Sequence, residues 1–195
     1  IWIWYYENSQ IEKEANFQDG NRDGKWTIYY EDGQIKGEEN YKEQKLEGRM
    51  ASYYKNGQVR TIRNFKVGNL DGKITSYFEN GQIRVERYLK DGNSKLTNYY
   101  DNGQIRENRS FKDGKLDGKV NAYYEDGQIK KKGSYLYGNK DKEWTFYYEN
   151  GQIEKEGNYQ YGNKIGKWIF FNKDGSKDSK WTIFNEDGSK DSKWT

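Results

Sequence analysis

The chain has 195 residues, of which 33% are charged and 32% hydrophobic, with 34 Lys+Arg against 31 Asp+Glu and a formal charge of +3. That balance is too even to imply nucleic-acid binding by charge. The absence of His, Cys and Pro removes the side chains of Ser-His-Asp and Cys-His catalysis, thiolate zinc sites and disulfides.

So few apolar residues usually signal disorder, but 7 Trp, 19 Tyr and 8 Phe recur periodically. Each ring can bury roughly 150–250 Å², enough to replace an aliphatic core. The chain opens at Ile1 in mid-repeat, without a signal-peptide pattern or an apolar run of membrane-spanning length. A piece of a longer array is therefore expected, with the cytoplasm weakly favoured.

The first linking phrase is Phe17-Gln18-Asp19-Gly20-Asn21-Arg22-Asp23-Gly24-Lys25, and its counterpart runs from Phe111 to Lys119. Two glycines four apart mark a tight reversal that returns the chain for the next hairpin. The phrase also matches the first half of a calcium loop. Its twelfth position is Tyr30 instead of a bidentate Glu, so no calcium site is expected.

A hairpin unit follows, Lys25-Trp26-Thr27-Ile28-Tyr29-Tyr30-Glu31-Asp32-Gly33-Gln34-Ile35-Lys36. An Asp-Gly pair between β-formers predicts a two-residue type I′ turn. Glu31 then faces Gln34, Tyr30 faces Ile35, Tyr29 faces Lys36 and Ile28 faces Gly37. Alternation puts Trp26, Ile28, Tyr30 and Ile35 on a core face, with Lys25, Thr27, Tyr29 and Lys36 opposite.

The turn glycines Gly33, Gly57, Gly81, Gly103, Gly127, Gly151 and Gly175 are spaced 24, 24, 22, 24, 24 and 24. The short interval reflects a linker cut to Gly92-Asn93-Ser94-Lys95. A fixed period of this size means stacked units that share a core with their neighbours. The Trp26 position is refilled by Met50, Ile74, Leu96, Val120, Trp144 and Trp168. The Ile28 position is larger near the ends, Trp4, Phe146 and Phe170, but Ser52, Ser76, Asn98 and Ala122 in the middle. With no helical periodicity, the expected fold is all-β: an elongated antiparallel array of stacked β-hairpin repeats of about 24 residues, each adding roughly 10 Å. Near the C-terminus, Asp174 to Thr182 recurs 13 residues later as Asp187 to Thr195, a departure from the pattern.

Gly-Lys-Leu-Asp-Gly-Lys at 114–119, followed by an aromatic strand and Tyr-Tyr-Glu-Asp-Gly-Gln-Ile at 123–129, resembles the MORN-variant repeat, the second MORN family. The resemblance runs from Trp2 to about Gly175. It implies a β-hairpin array over 1–175, with degenerate truncated repeats over 176–195, and no catalysis. Bacterial arrays of this kind are commonly named YwqK-type antitoxins. Related eukaryotic arrays are membrane-proximal or cytoskeletal scaffolds, some with phosphoinositide affinity and some dimeric. The chain lacks their regular Tyr-x-Gly-x-Trp core.

The candidate binding residues lie on the second hairpin face. Tyr29, Tyr53, Tyr77, Tyr99 and Tyr123 form a column, with Lys36, Arg60, Arg84, Arg106 and Lys130 expected opposite. A parallel column runs Lys25, Arg49, Lys73, Lys95 and Lys119. Interleaved cations and aromatics suit an anionic strip, although Glu14, Glu38, Glu86 and Glu156 dilute the field and a merely solvated face is the plainer reading. Carboxylates recur in every repeat without one singular pair, which argues against a glycosidase. Choline-binding cages are a weaker resemblance.

The sequence thus points to a non-enzymatic scaffold without cofactors, metals or nucleic acid. A protein partner, with a toxin as one form, comes first. Anionic lipid is second, and self-association through open sheet ends third.

Overall fold

The structure is a computed structural model that describes residues 1–191, without the side chains of Ser179 and Lys180. Among the described residues there is no helix. The chain forms two compact units, Ile1–Leu89 and Lys90–Thr195. Each is an antiparallel meander, so the fold is all-β and built from hairpin repeats.

The first unit holds β1 (Trp2–Tyr5), β2 (Ile11–Gln18), β3 (Asn21–Tyr29), β4 (Ile35–Lys42), β5 (Lys45–Leu46), β6 (Gly48–Tyr53), β7 (Val59–Lys66), β8 (Asn69–Leu70) and β9 (Lys73–Tyr77), and is closed by β10 (Ile83–Lys90). The second holds β11 (Asn93–Tyr99), β12 (Ile105–Lys112), β13 (Lys115–Leu116), β14 (Gly118–Tyr123), β15 (Ile129–Leu136), β16 (Asn139–Tyr147), β17 (Ile153–Gln160), β18 (Asn163–Phe171) and β19 (Lys177–Phe184). Strand β19 lies in the C-terminal segment yet pairs with β18 from Gly166↔Phe184 to Phe171↔Lys177. The end of the second Asp-Gly-Ser copy, at 192–195, lies outside the described residues.

The hairpin turn differs from the expected one. Tyr30 N–H donates to Gln34 O at 2.8 Å and Gly33 N–H to Tyr30 O at 2.9 Å. This is a three-residue loop, in which only Gly33 has positive φ, 83°. Asp32 keeps negative φ because its carboxylate accepts the Gln34 N–H at 3.1 Å, an Asx turn that holds it there. The longer loop changes the register. Tyr29 pairs with Ile35 instead of Lys36, while Ile28 pairs with Gly37 as expected. Lys36 is the extra residue of a bulge, and Ile35 shares the face of Tyr29, not that of Trp26.

The type I′ turns occur in the linkers. Asp19 and Gly20 have φ of 49° and 78°, between the paired Gln18 and Asn21. Asp113-Gly114 and Tyr161-Gly162 repeat the arrangement. The second linker glycine sits at a bulge instead: Gly24 has φ of 87°, where the β2–β3 register slips between Ala15↔Trp26 and Phe17↔Arg22.

Alternation from these pairings gives two faces. The indole face carries Trp26, Ile28, Ala15, Lys13, Gly37 and Glu39, and the phenol face carries Thr27, Tyr29, Glu14, Glu38 and Lys25. Most burial lies on the indole face. In the second unit Val120, Trp144, Tyr159 and Trp168 form the core, with Tyr135, Phe146, Phe170 and Phe184 packed on it. In the first, Trp26 stands 5.3 Å from both Phe17 and Tyr41 and 6.3 Å from Trp4. Each of Trp26, Trp144 and Trp168 donates its indole N–H to a carbonyl of the preceding strand, those of Asn16, Ser134 and Asn158.

Candidate binding surface

The two tyrosines of each Tyr-Tyr pair have different work. The second lies beside the turn and reaches the next repeat. Tyr6 Oη–H donates to Tyr29 O at 2.7 Å, Tyr30 to Tyr53 O at 2.7 Å and Tyr54 to Tyr77 O at 2.7 Å. In the second unit Tyr100 donates to Tyr123 O, Tyr124 to Tyr147 O and Tyr148 to Phe171 O. These phenols knit each repeat to the following one. Phe78 occupies the same place without a hydroxyl. Turn asparagines add a second rung, Asn8 to Glu31 O and Asn102 to Glu125 O, both 3.0 Å. This ladder was missed in the sequence, though its signal was there: every second tyrosine is followed two residues later by Asn or Asp.

Among the first tyrosines, the expected site residues, Tyr29 and Tyr53 are held by carboxylates. Tyr29 donates to Glu14 Oε2 at 2.8 Å and Tyr53 to Glu38 Oε2 at 2.6 Å. Burial, then the neighbouring Glu, pushes both phenols up from their ordinary value. Lys25 binds Glu38 at 2.7 Å. That lysine, then the Tyr53 hydroxyl, holds the Glu38 carboxyl below the usual range. Lys73 forms the matching pair with Glu86. The Lys25 and Lys73 positions of the parallel column are therefore already neutralised. Tyr77 in the first unit and Tyr99 and Tyr123 in the second are half-buried.

The other cations stand apart from these carboxylates. Lys36, Arg60, Arg84, Arg106 and Lys130 are all exposed. Each bulge carries its cation over the second ring of the pair, not the first. Lys36 lies 5.6 Å from the Tyr30 centroid, Arg60 5.7 Å from Tyr54 and Arg84 5.9 Å from Phe78. Arg106 lies 5.8 Å from Tyr100 and Lys130 4.9 Å from Tyr124. Among the described residues no ion pair joins any of these five to a carboxylate. Each unit thus presents a row of cations seated on aromatic rings and open to solvent.

The loop that resembles a calcium site is built otherwise. Asp19-Gly20 forms the linker turn, and Asp23 Oδ2 accepts the Glu43 N–H at 3.2 Å. Among the described residues no group of three or more acidic, His or Cys side chains could hold a metal ion.

On the indole face the aromatic repeats close over themselves. Lys140 lies 4.7 Å from the Trp144 centroid and 4.8 Å from Tyr159, and Lys164 lies 4.5 Å from Trp168. Burial lowers both lysine pKa values, and neighbouring lysines lower them further. Small residues make room for the rings: a Cβ on Gly133 would fall 2.3 Å from Trp144 Cδ2, and one on Gly157 2.4 Å from Trp168 Cδ2.

The family described as MORN repeat variant matches residues 1–19, 22–43, 46–66, 70–91, 94–113, 116–137 and 140–161. No curated protein matches. Among solved structures, the chain is similar to the Photorhabdus luminescens Tc holotoxin pore carrying a TccC3 mutation, at 13% identity and a TM-score of 0.23. A TcdB2-TccC3-Cdc42 structure is matched at 13% identity and a TM-score of 0.22. The chain is covered to 93% in both and spans only 11% and 13% of those chains. Seven matches in succession, on repeats that each fold as a hairpin, place this chain in the family of MORN repeat variants, a repeat scaffold for binding interactions.

Proposed function

We propose that this scaffold binds a protein partner with an acidic surface, through the cations that each unit presents, Lys36, Arg60 and Arg84 in the first and Arg106 and Lys130 in the second. The observation that supports this reading is their common state: exposed, seated on a ring, and without a carboxylate partner among the described residues. A cation held on an aromatic face has already lost part of its side-chain freedom, so less is lost when a partner pairs with it. Spacing of one per repeat favours an extended contact, in which each exposed pair adds little and the sum gives affinity. Tyr29, Tyr53, Tyr77, Tyr99 and Tyr123 serve this row by fixing the strands under it. A toxin, neutralised by occlusion of its surface, is the form of partner that the family resemblance suggests.

Affinity capture with the wild-type chain and with the Arg84→Glu, Arg106→Glu and Lys130→Glu triple variant tests the proposal. Loss of the captured partner in the variant is expected, and unchanged recovery would overturn it. Sedimentation with liposomes containing phosphatidylserine tests the lipid alternative. Binding that the same reversal abolishes, together with unchanged protein capture, would transfer the function to membranes.

A further inference from the structure

The central repeats of the first unit leave a hollow where the aromatic repeats have a ring. It measures about 300 Å³ and is lined by Met50, Ser52, Arg60, Thr61 and Arg63. Four substitutions between repeats open it. Met50 stands where Trp144 stands in the second unit, and Ser52 where Phe146 does. Arg63 replaces Gly157 and Thr61 replaces Lys155. In the aromatic repeat this space is filled: Phe146 lies 5.9 Å from Trp144 and Lys155 covers it at 5.1 Å.

The pairing explains why two arginines meet there. Ser52 pairs with Thr61 and Met50 with Arg63, so these four share the indole face. Regular alternation would send Arg60 to the other face. The register shift between Ser52 and Tyr53 makes Arg60 the bulge residue and brings it round to the same hollow. Neither Arg60 nor Arg63 has an ion pair among the described residues.

The second unit shows what such an arginine binds. Arg109 is the repeat-equivalent of Arg63, and Glu107 stands in the place of Thr61. There the Arg109 guanidinium grips the Glu107 carboxylate at 2.5 Å, with Lys131 at 3.6 Å. Glu107 is buried, 9% exposed. The first unit thus has the same arginine without the carboxylate.

We infer that the Met50–Ser52–Arg60–Thr61–Arg63 hollow is an anchor site for a glutamate side chain of an acidic protein segment. This deepens the proposed function, on which it rests, by naming the group recognised. A carboxylate from outside takes the place that Glu107 fills in the second unit, with Arg63 as its fork and Arg60 as second donor. The hydroxyls of Ser52 and Thr61 supply further donors, and Met50 gives an apolar wall for the glutamate methylenes.

Fluorescence anisotropy with a fluorescein-labelled octaglutamate peptide tests the anchor, with octaglutamine and inorganic phosphate as comparison arms. Arg63→Gln is expected to weaken octaglutamate binding about tenfold, as loss of one charge-assisted fork does. Thr61→Glu supplies an internal carboxylate and is expected to weaken it similarly. Ser52→Phe fills the hollow without changing charge and should do the same. Arg49→Gln removes an equal charge from the opposite face and should leave binding unchanged. Circular dichroism on each variant confirms the fold, and Arg63→Gln decides alone should the filled variants fail to fold. Equal weakening by Arg49→Gln, wild-type binding no stronger to octaglutamate than to octaglutamine, or displacement by phosphate beyond that of sodium chloride at equal ionic strength would each overturn the anchor. Its failure is separable from that of the cation row. Partner capture that survives Arg63→Gln but is lost in the Arg84, Arg106 and Lys130 reversal removes the hollow and keeps the row.

Discussion

The repeats carrying Trp26, Trp144 and Trp168 differ from those carrying Met50, Ile74 and Val120 in four linked ways. Their strands β3, β16 and β18 run nine residues unbroken, whereas the others split into two-residue and five- or six-residue pieces. A cation precedes the indole by four residues, Arg22, Lys140 or Lys164, where the split strands have Leu46, Leu70 or Leu116. The preceding strand gives a small partner, Ala15, Gly133 or Gly157, where the others have Glu39, Arg63 or Arg109. A large residue follows two positions later, Ile28, Phe146 or Phe170, where the others have Ser52, Ser76 or Ala122. One scaffold thus has two fillings. The aromatic one spends its large side chains on its own burial, and the aliphatic one carries charged side chains, Glu39, Arg63 or Arg109, in place of the small partner.

The largest test of this division is removal of an indole. Trp144 is fully buried, so Trp144→Ala should cost about 3–5 kcal/mol. The half-buried Leu96, replaced by Ala, should cost only about 1–2 kcal/mol. Urea unfolding measures both, and equal losses would erase the distinction. Next in size, Gly157→Arg alone forces a side chain against the Trp168 ring, at about 1–3 kcal/mol or more. Paired with Trp168→Val it recreates the Arg109–Val120 combination and should regain much of that loss, so a double-mutant cycle shows strong coupling. Additive losses would mean that the two fillings are not alternatives.

Smaller effects belong to the features that both kinds of repeat share. Tyr30→Phe or Tyr54→Phe removes one rung between repeats and should cost about 1 kcal/mol, read as a lowered unfolding midpoint. Phe78→Tyr, by contrast, removes no rung and should not lower it. Smallest is the Lys25–Glu38 pair. The folded state holds Glu38 below its ordinary value of about 4.5, so its stabilisation is complete above that value and lost as pH falls through the lowered one. Lys25 is largely solvent-exposed, at 57%, which limits the effect to less than about 1 kcal/mol. Lys25→Met should flatten this acid limb in a pH series of urea midpoints.

Much of the architecture was legible from period and alternation alone, because a hairpin that cannot bury itself must repeat. The turn chemistry was not. Asp-Gly occurs both at Asp32-Gly33 and at Asp19-Gly20, and the dipeptide cannot say which takes positive φ at both residues. The decision lies one residue on, where the Gln34 N–H meets the Asp32 carboxylate. That choice set the bulge at Lys36 and moved the whole cation row from the first tyrosine to the second. The exchange of Trp with Gly for Val with Arg was written in the sequence, but the strand register was needed to show that these positions touch.

The most direct test is an NMR titration of the labelled chain with octaglutamate, following the arginine Nε–H and tryptophan indole N–H signals. Binding in the open repeats predicts that the Arg60 and Arg63 signals move while the indoles of Trp144 and Trp168 stay in place. Movement of those indoles with still arginines would contradict the assignment of binding to the arginine-bearing repeats.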